Sequence, residues 1–327
     1  MDIDDFLTSM DTKGLREKDW LDPVHHNEEH FIRVAFKYND RDYQFEHVLT
    51  PGCIELFRFL FEREYVRPAF FSAGVRARNL DLAKRVVQTA IDAGGDPAWM
   101  NRYDVYSCED CFDTERLSRL MDWEMRETFQ PKDFFGNYKK DLRMISFGRE
   151  KYHELYQQTL EDPSVLSPDH EKDNKLLENL VLVEEDSSYL FPGQEKNMLL
   201  CPTYRHPSHY TINHRGDDTP YDPDDWRDNF KSSNTIFYAA GVLNYAFERH
   251  FSEGLPIPEI LWQEQGHLWV DRSRYKERFP IHFFITGRDI LRKYNPELNF
   301  AVSSNLDIRH KVCVKLSIAS NRQQNDF

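Results

Sequence analysis

One repeated pattern restricts the fold more than any other: a short apolar run stops abruptly at polar or acidic residues. "RPAFFSAG" is apolar from Ala69 to Phe71 and stops at Ser72 and Gly74. The amphipathic stretch "NLDLAKRVVQTAIDAGG" follows and closes on Gly94 and Gly95, residues that leave a helix easily because they lack a Cβ. "NLVLVEEDSSYL" carries a buried strand at Leu180 to Val183 that ends in Glu184, Glu185 and Asp186. Strands alternating with helices predict an α/β fold with a mostly parallel central sheet. Ligands of such sheets bind beyond the carboxyl ends of the strands, so chemistry is expected where each apolar run stops.

The remaining elements fit the same class. "HFIRVAFKYNDRDYQFEHVLT" (His30 to Thr50) predicts two strands around an Asn-Asp-Arg-Asp turn. "PGCIELFRFLFEREY" predicts a helix with Ile54, Phe57, Leu60 and Phe61 on one face. "SSNTIFYAAGVLNYAFERH" predicts a capped and mostly buried helix. "KVCVKLSI" alternates, with Val312, Val314, Leu316 and Ile318 on one side.

Composition narrows the function classes. No run of eighteen apolar residues occurs, which excludes a membrane-spanning helix of ordinary length. The acidic start "MDIDDFLTSM" does not read as a secretory signal. Five cysteines without framework spacing predict reduced thiols and a cytoplasmic setting. Cys108 and Cys111 lack the second pair that a zinc site would require. The net charge of −14 argues against nucleic-acid binding. Residues 265 to 327 differ, with eleven Lys and Arg against six Asp and Glu. That basic stretch is either a solvated face or a surface for an anionic membrane.

Four places carry candidate chemistry. Asp2 and Asp4 are two apart, so in an extended segment they point the same way. Such a pair suits a hard cation, or a nucleophile beside a general acid/base; a frayed acidic terminus would look the same. Ser72, with the backbone N–H groups after it from Ala73 onward, can hold phosphate oxygens. Lys140, in "FQPKDFFGNYKKDL", can neutralise a transferring phosphoryl group, and Lys139 competes for that role. Glu184, Glu185 and Asp186 repel one another unless a cation or solvent relieves them, so a magnesium site and a solvated loop both fit. Their order along the chain (acid pair, hydroxyl, lysine, acid cluster) is the layout of phosphoryl transfer through an aspartyl phosphate.

With these stretches in hand, the chain resembles a haloacid dehalogenase (HAD) superfamily phosphatase. It is most similar to the small CTD-phosphatase or NLI-interacting-factor-like branch. "DIDDF" matches both aspartates of that branch's DxDxT, with Phe6 where Thr or Val is usual. "FFSAG" stands for its strand ending in Thr-Ala-Ser, "GNYKKDL" matches its GNYxKDL, and "EEDSSYLFPGQEKN" follows its fourth motif loosely. The resemblance covers roughly residues 1 to 264 and implies a HAD-like Rossmannoid three-layer sandwich. It adds a β-hairpin insertion, a helical cap-like insertion at 112 to 134, a further insertion at 200 to 231, and a C-terminal extension at 265 to 327. It implies Asp2 as nucleophile and Asp4 as general acid/base. It further implies Ser72, Ala73 and Lys140 as phosphate contacts, and Mg²⁺ held by Asp2, Asp4, Glu185 and Asp186. A Mg²⁺-dependent protein phosphatase is therefore expected, with a phosphoprotein substrate and phosphotyrosine favoured over phosphoserine. No obligate partner is expected. The extension suggests a bacterial effector held at a host membrane or on a partner. His206, His209 and His214 in the second insertion read as a polar loop or a metal site. The alternative to an enzyme is a pseudophosphatase that binds a partner or an acidic lipid.

Overall fold

The computed structural model describes residues 1–10, 31–113, 138–166, 170–204, 226–266 and 279–301. His206, His209 and His214, most of the 112 to 134 insertion, the start of "GNYKKDL" and the alternating "KVCVKLSI" lie outside the described residues. The architecture is mixed α/β with small sheets, two of them parallel pairs.

β1 (Thr8–Met10), β2 (Phe31–Tyr38) and β3 (Arg41–Leu49) form an antiparallel sheet in the order β1-β3-β2. Tyr38 pairs with Arg41, leaving a two-residue turn in which Asn39 and Asp40 have φ of 48° and 61°. Asn and Asp tolerate this left-handed conformation, and its twist matches that of the strands. Phe36 stacks on Tyr43 across the hairpin at 5.5 Å between ring centres.

α1 (Cys53–Phe61) is buried at nearly every position, Leu56 and Phe59 included. The expected single face of Ile54, Phe57, Leu60 and Phe61 is thus widened, as for any helix apolar all round. Phe57 stacks on Phe70 at 5.0 Å, and Phe61 on Trp99 at 5.1 Å. β4 (Ala69–Phe71) runs through α2 (Arg76–Asp92) into its parallel partner β5 (Asp104–Tyr106). β6 (Phe112–Asp113) pairs antiparallel with β7 (Tyr138–Lys139). The helices α3 (Arg143–Phe147), α4 (Arg149–Thr159) and α5 (His170–Leu176) come next. β8 (Leu182–Glu184) is parallel to β9 (Met198–Leu200). β8 starts two residues later than its sequence suggests, because the Leu180 N–H turns back to the Leu177 carbonyl at 2.9 Å.

Residues 1 and 2 join the two parallel pairs. The Phe71 N–H donates to the Met1 carbonyl at 2.9 Å, and the Asp2 N–H donates to the Val183 carbonyl at 2.9 Å. Backbone hydrogen bonds therefore run from β5 through β4, Met1 and Asp2 to β8 and β9. This brings Asp2, Ser72 and Glu184 to neighbouring strand ends.

The last elements among the described residues are α6 (Trp226–Ser233), α7 (Thr235–Glu253), α8 (Ile257–Gln265) and α9 (Ile281–Leu291). Phe283, Phe284 and Leu291 are buried in the same core as α1 and α7. The described part of the 265 to 327 stretch is thus packed on the α/β body. α7 and α9 touch backbone to backbone. A Cβ at Gly241 would lie 2.0 Å from the Phe283 oxygen, and one at Gly287 1.7 Å from the Phe237 oxygen. Helix propensity alone favours Ala over Gly by about 1 kcal/mol, but a carbonyl cannot move aside without displacing a helix. Gly287→Ala is therefore expected to lower stability by about 3 kcal/mol, read as a lower denaturant midpoint. An unchanged midpoint would mean that α9 does not dock on α7 this closely.

Candidate active site

Lys140 organises the site. Its N–H donates to the Tyr189 carbonyl at 2.7 Å and its carbonyl accepts from Phe191 at 3.3 Å, which ties the end of β7 to the loop after β8. Asp141, fully buried, anchors the next residue. Its carboxylate accepts from Arg143 Nη2 at 2.8 Å, Tyr152 Oη at 2.9 Å and Gln194 Nε2 at 2.7 Å. Held this way, Lys140 extends into the interior at 1% exposure, with Nζ 2.5 Å from Asp2 Oδ1 and ion-paired to Glu184. Lys139 contacts the Ser188 carbonyl instead. Successive side chains of a strand take opposite faces, which separates the two lysines.

Asp2, Glu184 and Glu185 are all buried, and each offers a carboxylate oxygen within 4.8 Å of the others. Burial, then Glu184, pushes the Asp2 carboxyl up to about 8, against the pull of Lys140. Burial raises Glu185 well above the usual carboxylate range, and Glu184 and Asp2 add to it. Burial alone would lower Lys140, but Asp2 and Glu184 outweigh it and hold the ammonium above its ordinary value. Glu184 Oε1 is buried without a hydrogen-bond partner. A clustered oxygen donor set with one orphaned oxygen fits a hard divalent cation such as Mg²⁺.

The other expected residues divide. Asp4 turns its carboxylate toward Arg78, with Nη1 to Oδ1 at 3.0 Å and Nη2 to Oδ2 at 2.6 Å. Burial resists ionisation of Asp4, but Arg78 prevails and holds it below the usual carboxylate range. Ser72 Oγ donates to Asp4 Oδ2 at 3.0 Å and accepts from Gly74 N–H at 3.0 Å. Ala73 lies between them in the half-buried turn after β4. Asp186 accepts from the Ser188 N–H at 2.8 Å, capping a short 3₁₀ turn, and stands outside the carboxylate cluster. Glu184 joins Asp2 and Glu185 in its place.

One residue of this site, Arg78, was not singled out from sequence, while Glu184 was read in the acid cluster but left out of the ligand set that the resemblance implies. For Arg78 a signal existed. It sits at helical spacing from Leu82 and Val86 on the buried side of α2, a cation on an apolar stripe. Gly74 makes its room, since a Cβ there would fall 2.1 Å from Arg78 Nη2.

The turn after Asp4 is shaped by Asp5 at φ 59° and by the Thr8 N–H donating to the Ile3 carbonyl at 2.8 Å. Phe6 is fully buried, and its carbonyl accepts from Thr50 Oγ1 at 2.6 Å. Behind this turn, His47 Nδ1 lies 3.1 Å from Thr8 Oγ1. Burial pushes His47 from 6.5 down to about 4, with Asp4 opposing and Arg78 assisting. The unfolded chain then binds the extra proton between those values, so stability is full above pH 6.5 and falls as pH drops toward 4. The expected loss is about 3 kcal/mol. Urea titrations across that window should show a flatter pH profile for His47→Gln, and an unchanged profile would exclude His47 as the cause. No family model and no curated protein matches the chain.

Proposed function

We propose that the chain is a Mg²⁺-dependent protein phosphatase of the HAD type, working through an aspartyl phosphate on Asp2. The observation that carries this is Lys140, buried between Asp2 and Glu184 where neighbouring strands end. The fold reading follows it: the order β5, β4, Met1–Asp2, β8, β9 supports the centre of a HAD-like Rossmannoid sandwich.

In this mechanism an Asp2 carboxylate oxygen attacks phosphorus and the bond to the leaving oxygen breaks. Asp4, ionised while Arg78 engages it, takes up a proton from solvent as it turns from Arg78 and gives that proton to the leaving oxygen. Asp4 then takes a proton from water, whose oxygen attacks phosphorus and breaks the bond to Asp2, releasing inorganic phosphate. Lys140 holds its ammonium against the phosphoryl oxygens throughout, and Ser72 donates to one of them. Asp2, Glu184 and Glu185 would hold Mg²⁺, which supplies neutralisation of phosphoryl charge when bound. A phosphoprotein is the proposed substrate, phosphotyrosine ahead of phosphoserine, since the aromatic-rich insertion at 112 to 134 can accept a ring.

Release of phosphate from phosphotyrosine and phosphoserine peptides, with and without Mg²⁺, tests the proposal. Turnover that needs Mg²⁺ supports it and ranks the substrates. No turnover would leave the partner- or lipid-binding pseudophosphatase, which one observation favours: both Asp4 oxygens are engaged by Arg78. Among the described residues no helix is long and apolar enough to cross a membrane. A cytoplasmic setting and an anionic membrane surface for residues 265 to 327 remain parts of the proposal. Co-sedimentation with phosphatidylserine vesicles should be lost with neutral vesicles; binding indifferent to lipid charge would sink that part.

A further inference from the structure

Two buried cations face the two aspartates, and the mechanism above uses only Lys140. The other is Arg78, whose side chain is 6% exposed. Its Nη2 lies 2.6 Å from Asp4 Oδ2 and 3.0 Å from Ser72 Oγ, while Ser72 Oγ lies 3.0 Å from the same Asp4 oxygen. Three polar groups thus converge on one point, beside the hydroxyl that would meet a phosphoryl oxygen. Asn79 Oδ1 accepts from Arg78 Nε at 3.0 Å, and Asn79 Nδ2 is fixed on the Gly74 carbonyl at 3.0 Å and on Ser107 Oγ at 3.1 Å. The guanidinium is therefore oriented from behind, with its fork presented toward Asp4.

We propose that Arg78 is a second phosphate-binding residue, which exchanges the Asp4 carboxylate for phosphoryl oxygens when substrate enters. The inference rests on the phosphatase reading and extends it. A guanidinium fork fits a carboxylate and a phosphate with the same paired N–H geometry, so the exchange keeps its hydrogen bonds. Lys140 has little charge to spare, being already shared by Asp2 and Glu184. An arriving phosphate dianion meets the carboxylates of Asp2, Glu184, Glu185 and Asp4, and Arg78 offsets that repulsion. The exchange has a second consequence. In the structure both Asp4 oxygens are engaged by Arg78, and one also by Ser72. A phosphate that draws Arg78 away leaves Asp4 free to meet the leaving oxygen. Substrate would then assemble the acid/base only when it is bound.

The test uses the full chain with Arg78→Lys, which keeps the charge but loses the fork, and Arg78→Gln, which loses both. Melting temperatures establish that each variant folds. With Mg²⁺ and a phosphopeptide, kcat/KM is expected to fall by about 10²-fold in Arg78→Gln. The inhibition constant of inorganic phosphate is expected to rise by about tenfold or more in both variants. A purely structural role would lower the melting temperature and leave phosphate inhibition of the folded enzyme unchanged; that result overturns the inference while the phosphatase reading stands. If the wild type shows no Mg²⁺-dependent turnover, the phosphatase reading fails, and calorimetric titration of inorganic phosphate with Mg²⁺ decides the site by itself. Wild-type binding that is weakened about tenfold in Arg78→Lys supports it. Equal binding, or none by the wild type, overturns it.

Discussion

Asp2→Asn is expected to abolish Mg²⁺-dependent phosphate release, by about 10⁴-fold or more, while leaving the fold intact. An amide has the shape of the carboxyl but cannot form the acyl phosphate. The fold should tolerate it because burial and Glu184 already push the Asp2 carboxyl up to about 8. At neutral pH a carboxyl pushed that far is mostly uncharged in the absence of metal, and Asn resembles that uncharged form. Lys140 keeps Glu184 as its partner. The melting temperature without metal should therefore hold or rise as activity vanishes. Such opposite responses are expected of a residue kept for chemistry rather than stability. Turnover within about tenfold of wild type would remove Asp2 as nucleophile, since a group that forms the covalent intermediate cannot be spared so cheaply.

Lys140→Met should have the largest effect on stability. Met has a similar length and carries no charge, so the change empties no large volume. It removes the counter-charge of Asp2 and Glu184, both nearly or fully buried. Breaking a buried ion pair on one side costs about 3–5 kcal/mol, because the remaining charge stays without compensation. Here two carboxylates lose their cation together, with Glu185 beside them. Millimolar Mg²⁺ should then raise the melting temperature of Lys140→Met more than that of the wild type, since a divalent cation among three carboxylates replaces the missing charge. Thermal melts with Mg²⁺ and with a chelator read this directly. An equal response in both proteins would mean that the cluster does not bind Mg²⁺. Lys139→Met should show neither effect, because Lys139 lies on the opposite face against the Ser188 carbonyl.

Much of the local structure is legible in residue pattern. The hairpin of β2 and β3 is readable because the apolar alternation and the Asn-Asp turn agree on one register. The long helix α7 is readable from its apolar run. Boundaries were less so. β8 begins at Leu182 rather than Leu180 because a turn hydrogen bond competes for the Leu180 N–H, a contest that composition does not record. α2 begins at Arg76, ahead of the amphipathic stretch, because the turn after Ser72 leads directly into it.

The site divides along similar lines. Order along the chain pointed to Asp2, Lys140 and Glu184 standing together, and the structure brings these three side chains into contact. Which lysine serves Asp2 depended on strand parity, and sequence left Lys139 and Lys140 as rivals. Which acids cluster also depended on geometry: Asp186 is drawn into capping a turn, and Glu184 takes the position facing Asp2. The partner of Asp4 was beyond reach of local pattern, since Arg78 is 74 residues away and meets it only because β4 lies beside Met1 and Asp2. By itself, then, the sequence determined the β2–β3 hairpin, the strands β4 and β8 and the helices α1, α2 and α7, because periodicity and turn chemistry act within a few residues. Only the tertiary structure decided the pairings of charge, because a carboxylate takes whichever cation the packing of distant strands brings within about 3 Å of it.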